Sequence, residues 1–345
     1  MAFSTISKSS SYFNSTIYTG NGTVDTALTT GTFQPDLTWF KNRGTTESHM
    51  WMDAVRGATN YIQSNSTAAQ GTSADKISAF TSTGVTLGSG AETNENSQPL
   101  VCWAWKGNGS GSANSDGTTS STVSANTTAG FSIVQHSGSG DATTIGHGLG
   151  VEPTVVLTKR TSATNSWFLQ QAVIGGSWTS SNYLILNSTA AAASSSSIVN
   201  GVTSSTISFA GADDWVNASG STYIHYVFAE KLGYSKFGTY TGNGVADGTF
   251  VYLGFKPAFM IIKRTDSTTN WVMYDNKRDP SNRVSKVLLP DNSASETSGS
   301  QYIDFLSNGF KLRNSGNNTN DGSVYFFMAF GQPIVSTNNN IATAF

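Results

Sequence analysis

Apolar and polar residues alternate in short runs broken by Gly, Ser, Asn and Asp clusters, and they rarely recur at helical spacing. Leu37-Thr-Trp-Phe40, Thr154-Val-Val-Leu157 and Phe259-Met-Ile-Ile262 are β-branched or aromatic runs of strand length. A second set runs Tyr61-Ile-Gln-Ser, Tyr183-Leu-Ile-Leu and Val284-Ser-Lys-Val-Leu. A third set is Val101-Cys-Trp-Ala-Trp105, Tyr223-Ile-His-Tyr-Val-Phe-Ala229 and Val324-Tyr-Phe-Phe-Met-Ala-Phe330, whose apolar residues would fill both faces of a central strand. The best helical stretch, Ala68 to Phe80, contains Gly71 and several Ser/Thr residues and predicts at most a turn or two.

These sets recur in one order. Tyr18-Thr-Gly-Asn-Gly22 returns as Tyr240-Thr-Gly-Asn-Gly244, with a worn copy at Ser137-Gly-Ser-Gly140. Each is followed by a proline (Pro35, Pro153, Pro257), an apolar run closing on a lysine (Lys41, Lys159, Lys263) and a tryptophan (Trp51, Trp167, Trp271). The lysines are 118 residues (41 to 159) and 104 residues (159 to 263) apart, the tryptophans 116 and 104. A period of about a hundred residues is the length of a small domain and too long for a solenoid unit. The Gly-x-Gly element reads as a tight turn, because glycine reaches positive φ without penalty and no helix pattern follows to make a phosphate loop.

The pattern predicts an all-β chain of three tandem antiparallel β-sandwich modules, jelly-roll or lectin-like. The expected layout is an N-terminal arm at 1–16, repeats at 17–106, 130–235 and 236–331, and a C-terminal arm at 332–345. Residues 107–129, rich in Gly, Ser, Asn and Thr, read as a linker. The first copy is therefore expected to be loosely tethered, and the second and third, joined abruptly at 230–237, to pack together.

Composition narrows the function. Charged residues are 12% of 345, about half the usual share, and the net charge is −2. That gives no electrostatic case for nucleic acid or an anionic membrane. The single cysteine, Cys102, lies among apolar neighbours and reads as a buried thiol. No run approaches a membrane helix, and Met1-Ala-Phe-Ser-Thr-Ile lacks the basic start of an export signal.

Candidate chemistry is sparse. The four histidines share no repeat position; His147 reads as a turn residue and His225 as packed within a strand. Asp53 and Asp275 follow Trp51 and Trp271, but the second copy has Gln170-Gln171 there, so no carboxylate pair recurs as a glycosidase would need. Asp213-Asp214 reads as a turn. Asn314 to Asp321 supplies oxygen ligands without EF-hand spacing, leaving calcium as a candidate and no other cofactor or metal expected. No hydrolase or nucleotide motif occurs, so no enzyme is expected. Trp51, Trp167 and Trp271 read as core, whereas Trp178 and Trp215, set among polar residues in the second copy alone, are the candidate ligand-binding residues.

Thr38-Trp-Phe-Lys-Asn-Arg43, Trp51-Met-Asp53, Arg56-Gly57, Val101-Cys-Trp-Ala-Trp-Lys106, Ile145-Gly-His-Gly-Leu-Gly150 and Gly254-Phe-Lys-Pro257 carry a resemblance. Together with the Gly-x-Gly elements they resemble the repeated module of uncharacterised virion proteins from tailed bacteriophages of marine bacteria and cyanobacteria. The resemblance covers most of residues 17–330. It implies a virion structural protein assembled in the host cytoplasm: a tail fibre, spike or capsid decoration with lectin-like sandwiches. Expected partners are other capsid or tail proteins and host surface glycans, in a homo-oligomer such as a trimer. A carbohydrate-binding receptor-recognition protein is the alternative, and a depolymerase using Asp213 or Asp214 the third reading.

Overall fold

In the computed structural model the described residues are 6–333, apart from 172–173, 175–177, 179–181 and 196–197, together with Ser4. The chain is all-β, and its described residues form six antiparallel sheets. Residues 68–80 hold no helix; they carry the short strands Gly71–Thr72 and Ile77–Thr81 (its first four residues).

The sheets pair along the chain into sandwiches. Leu37–Asn42 lies between Pro99–Trp105 and Met50–Asp53, and this large sheet faces the small one formed by Thr26–Thr29, Gly84–Leu87 and Ile77–Thr81. In the second stretch Val155–Arg160 lies between Thr222–Phe228 and Trp167–Gln171. In the third, Phe255–Arg264 lies between Val324–Pro333 and Val272–Asp275.

These central strands are buried on both faces, which explains their continuous apolar sequence. Side chains alternate between two cores. Phe40, Met50, Met52 and Cys102 point into the first sandwich, Val156, Phe168 and Val227 into the second, and Met260, Ile262, Val272 and Phe327 into the third. The intervening residues meet in one shared core: Trp39, Trp51, Trp103 and Trp105 of the first copy, Leu157, Trp167 and Tyr226 of the second, and Phe259, Trp271 and Phe330 of the third. A water-sized, wholly apolar cavity of about 20 Å³ lies where the three large sheets converge, lined among others by Trp51, Leu169 and Met328.

The first copy is thus no tethered appendage. Nor is 107–129 a linker: Ser121–Asn126 pairs onto Phe131–Ser137, and Ser112–Asn114 pairs onto Ser121–Asn126, so that both extend the second large sheet. A Ser/Thr-rich strand near the sheet edge needs apolar residues on one face only, here Val123 with Ala125 packed beside it, so composition concealed it. The expected arms are shorter too. Phe13 enters the shared core from the strand Phe13–Thr19, residues 332 and 333 end the last strand, and 334–345 lie outside the described residues.

The Gly-x-Gly turns recur with one geometry. A Cβ on the first glycine would lie 2.1 Å from the Glu95 carbonyl oxygen at Gly20 and 2.2 Å from that of Ala218 at Gly138. The second glycine has φ of 66° at Gly22, 79° at Gly140 and 70° at Gly244.

Candidate functional site

Strand register aligns the copies residue by residue and corrects the sequence alignment. Lys159 pairs with Trp167, and by the same register Lys41 falls opposite His49, because Phe40 pairs with Met50. His49, not Trp51, is the counterpart of Trp167 and Trp271; Trp51 corresponds to Leu169 and Met273. The mismatch between the lysine spacing of 118 and the tryptophan spacing of 116 was the available signal.

The repeated polar residues lie at the junctions between copies, and each junction has the same plan. The ammonium of Lys159 in the second copy donates to the carbonyl of Thr67 in the first (3.0 Å). Lys263 in the third donates to Thr189 in the second (3.2 Å), and Lys41 in the first to Ser293 in the third (3.0 Å). The contacts run round a closed ring, each copy gripping the next. Backbone bonds follow the same circuit: Gln70 N–H to Thr161 (3.0 Å), Ala192 to Thr265 (2.7 Å) and Glu296 to Arg43 (2.9 Å).

Each lysine is fully buried, and most of its remaining bonds go to carbonyls of its own copy, such as Glu47 for Lys41 (2.7 Å) and Asn165 for Lys159 (2.6 Å). No carboxylate pairs with these ammonium groups among the described residues. Burial therefore lowers all three, to about 8.

The neighbouring positions continue the circuit. Trp167 donates its indole N–H to the Gln63 carbonyl of the first copy (2.8 Å), and Trp271 donates to Ile185 of the second (3.0 Å). His49 faces the Leu289 backbone of the third copy and accepts from Trp39 at Nδ1 (2.9 Å). Burial, with Lys41 adding to it, pushes His49 well below the usual imidazole range. The backbone N–H groups of His49, Trp167 and Trp271 donate to Asn65, Asn187 and Asp291, at 2.9, 2.7 and 3.1 Å.

The Asp53–Arg56 and Asp275–Arg278 ion pairs are buried at two of the junctions. Tyr226 of the second copy donates its hydroxyl to Asp53 (2.7 Å), and Trp103 of the first donates its indole to Asp275 (3.1 Å). Register places Met328 where these donors stand, at the junction served by the second copy. Met328 has no proton to give, and that copy carries Gln171 and Ile174 instead of Asp and Arg. The departure seen in the sequence thus follows from the partner's chemistry.

Trp178 is 7% exposed and packs in the core of the second sandwich. Trp215 is half-buried, stacked on Phe168 at 4.1 Å. Both indoles are therefore largely committed to packing, which leaves little of either ring for the ligand contact expected of them. Asp213 caps a turn through Trp215 N–H (2.8 Å), and Asp214 meets Arg160 at 3.2 Å on the surface. His147 is held by the Thr203 carbonyl (3.2 Å), while His225 lies between Thr158 (2.8 Å) and His136 (3.0 Å). In the proposed calcium loop Asn314 accepts from Gly316 and Thr319, and Asp321 pairs with Arg264. Among the described residues no three His, Cys, Asp or Glu side chains gather as a metal site, and no helix is long and apolar enough to cross a membrane.

Asn94, Asn217 and Asn320 were not legible in the sequence. Their amides tie each Gly-x-Gly turn to a second segment of its copy: Asn94 joins Asn21 and Thr23 to Gly88, Asn217 joins Ser139 and Asp141 to Gly211, and Asn320 joins Asn243 and Val245 to Asn314. They are scattered among many asparagines, and only tertiary placement distinguishes them.

Comparison with curated proteins and with solved structures gave no match. One family model, described as a domain of unknown function (DUF7483), spans residues 8–333 and so takes in all three copies and every junction between them; the chain belongs to that family.

Proposed function

We propose that this chain is a non-enzymatic structural protein of a tailed-bacteriophage virion, a tail or surface appendage that assembles with other capsid or tail proteins and presents its outer sheets to the host. The observation that carries this reading is the closed ring of lysine-to-carbonyl contacts at all three junctions. The side chains kept in every copy act in holding the copies together, as a building block requires. An enzyme would be expected to keep at least one such set in an open cleft.

The ring supports a second form of the oligomer expected from sequence. Three like copies close on one another within one chain, so a single chain can sit on a three-fold axis of a partner assembly. Gradient-purified particles of the phage encoding this chain should contain its peptides by mass spectrometry, in fixed ratio to the major capsid protein. Antibody against the recombinant protein should label the head, tail or fibre at a regular position. Particles that lack the chain while infected lysate contains it would refute the proposal.

A further inference from the structure

The three copies share their architecture, so a charged cluster present in only one of them is not required by the fold. The third copy has such a cluster on its small sheet. Asp304 pairs in register with Lys311, and Arg313 follows two residues later. The corresponding residues are Ala79, Thr86 and Gly88 in the first copy and Gly201, Ser208 and Ala210 in the second, all small and neutral. In a chain with 12% charged residues, this concentration stands apart.

The cluster borders an open hollow of about 370 Å³, lined by Ala246, Asp247, Arg283, Asp304 and Arg313. That is within the size range of small-molecule sites. Asp304 and Asp247 hold Arg313 from two sides, and Lys311 reaches Asp247 at 3.0 Å. The Asp247 side chain is 81% exposed, so its carboxylate still has acceptor capacity. Arg283 stands over the Tyr302 ring, 5.0 Å from its centroid, and makes no ion pair among the described residues.

We infer that this hollow binds an acidic saccharide, with the Arg283 guanidinium taking the sugar carboxylate and Asp247 accepting from sugar hydroxyls. Other ligand classes fit less well. Asp247 and Asp304 repel a bare anion, the three cationic groups repel a metal ion, and a neutral sugar leaves Arg283 unmatched. A uronate or sialate presents one carboxylate for a fork of donors beside hydroxyls for an acceptor. The inference deepens the host-attachment part of the proposed function by naming its ligand. Its failure leaves the virion assignment standing, because that is read separately from particle composition.

The test is calorimetric titration of the whole chain with trigalacturonate, a hyaluronan tetrasaccharide and 3′-sialyllactose, beside their neutral counterparts methyl-esterified trigalacturonate, the methyl-esterified hyaluronan tetrasaccharide and lactose. At least one acidic probe should bind with micromolar to millimolar affinity, and its neutral counterpart at least tenfold more weakly. Arg283→Gln, at an exposed position, should leave the melting temperature unchanged and weaken binding of that probe at least tenfold. Asp247→Asn should weaken it several-fold. Failure of all three acidic probes at millimolar concentration would overturn the inference. Equal binding of acid and neutral forms, or unchanged binding by Arg283→Gln, would do so as well.

Discussion

The indole N–H of Trp103 donates to Oδ2 of Asp275 at 3.1 Å, across 172 residues of sequence. The same carboxylate pairs with the Arg278 guanidinium, which lies 5.6 Å from the Trp103 ring centroid. A donor of the first copy, an acid and a cation of the third therefore form one buried unit.

Removing the acid leaves a buried guanidinium, with Glu296 as its remaining carboxylate partner, and an unmatched indole. Asp275→Ala should cost about 3–5 kcal/mol. Gln171→Ala, at the matching position of the second copy, should cost less, about 1 kcal/mol, because the group lost there is a neutral amide, the acceptor for Ile174 N–H, and no buried ion is left behind. Urea denaturation of the two variants checks the ranking. Equal losses would show that the ion pair does not hold its junction.

The caged lysines give a pH dependence of definite sign. Each is lowered from 10.5 to about 8, so between those values the unfolded chain binds more protons than the folded one. Stability should therefore rise with pH over that window, by up to about 1.4 kcal/mol per pH unit for each lysine. Tyrosine ionisation opposes this above about pH 10. Unfolding free energies at pH 7.5 and 9.5 should differ less in Lys159→Met than in the parent; identical differences would contradict the assignment.

Asp291 stands where the other copies have Asn65 and Asn187, and burial raises it to about 6. Its ionised form is penalised in the fold, so stability falls as pH rises from about 4 to 6. Asp291→Asn keeps the acceptor for Trp271 N–H and removes that penalty. The gain should be about 1 kcal/mol at pH 7, after allowing for partial exposure, and should vanish below pH 4. Thermal melts at both pH values test it, and destabilisation at pH 7 would mean that attraction to Lys263 outweighs burial.

Asn320→Ala removes the amide bonds to Asn243 and Val245 at the turn and to Asn314 beside it, together with the side-chain acceptor for Asn243 N–H. A loss of about 2–3 kcal/mol is expected, since buried turn acceptors are left without partners. Hydrogen exchange at Asn243 and Gly244 should accelerate ahead of global unfolding. Unaltered protection there would place the pin elsewhere.

Much of this protein is legible in its sequence. Strand class, the Gly-x-Gly turns and the recurrence of Lys41, Lys159 and Lys263 all follow from short-range patterns, in which side-chain shape and backbone freedom act within a few residues. The burial of the apolar runs was legible for the same reason. Their second face was not, since Trp39 and Phe40 look alike in sequence and enter different cores.

What tertiary structure alone decided were the relations between copies. That Lys159 reaches Thr67, that His49 rather than Trp51 stands with Trp167, and that 107–129 forms sheet rather than tether depend on partners as far as 92 residues away or on a neighbouring strand's register. Local sequence determines which groups must be buried or bonded. It does not contain the distances that choose among equally suitable partners, and here that choice closes three sandwiches into a ring.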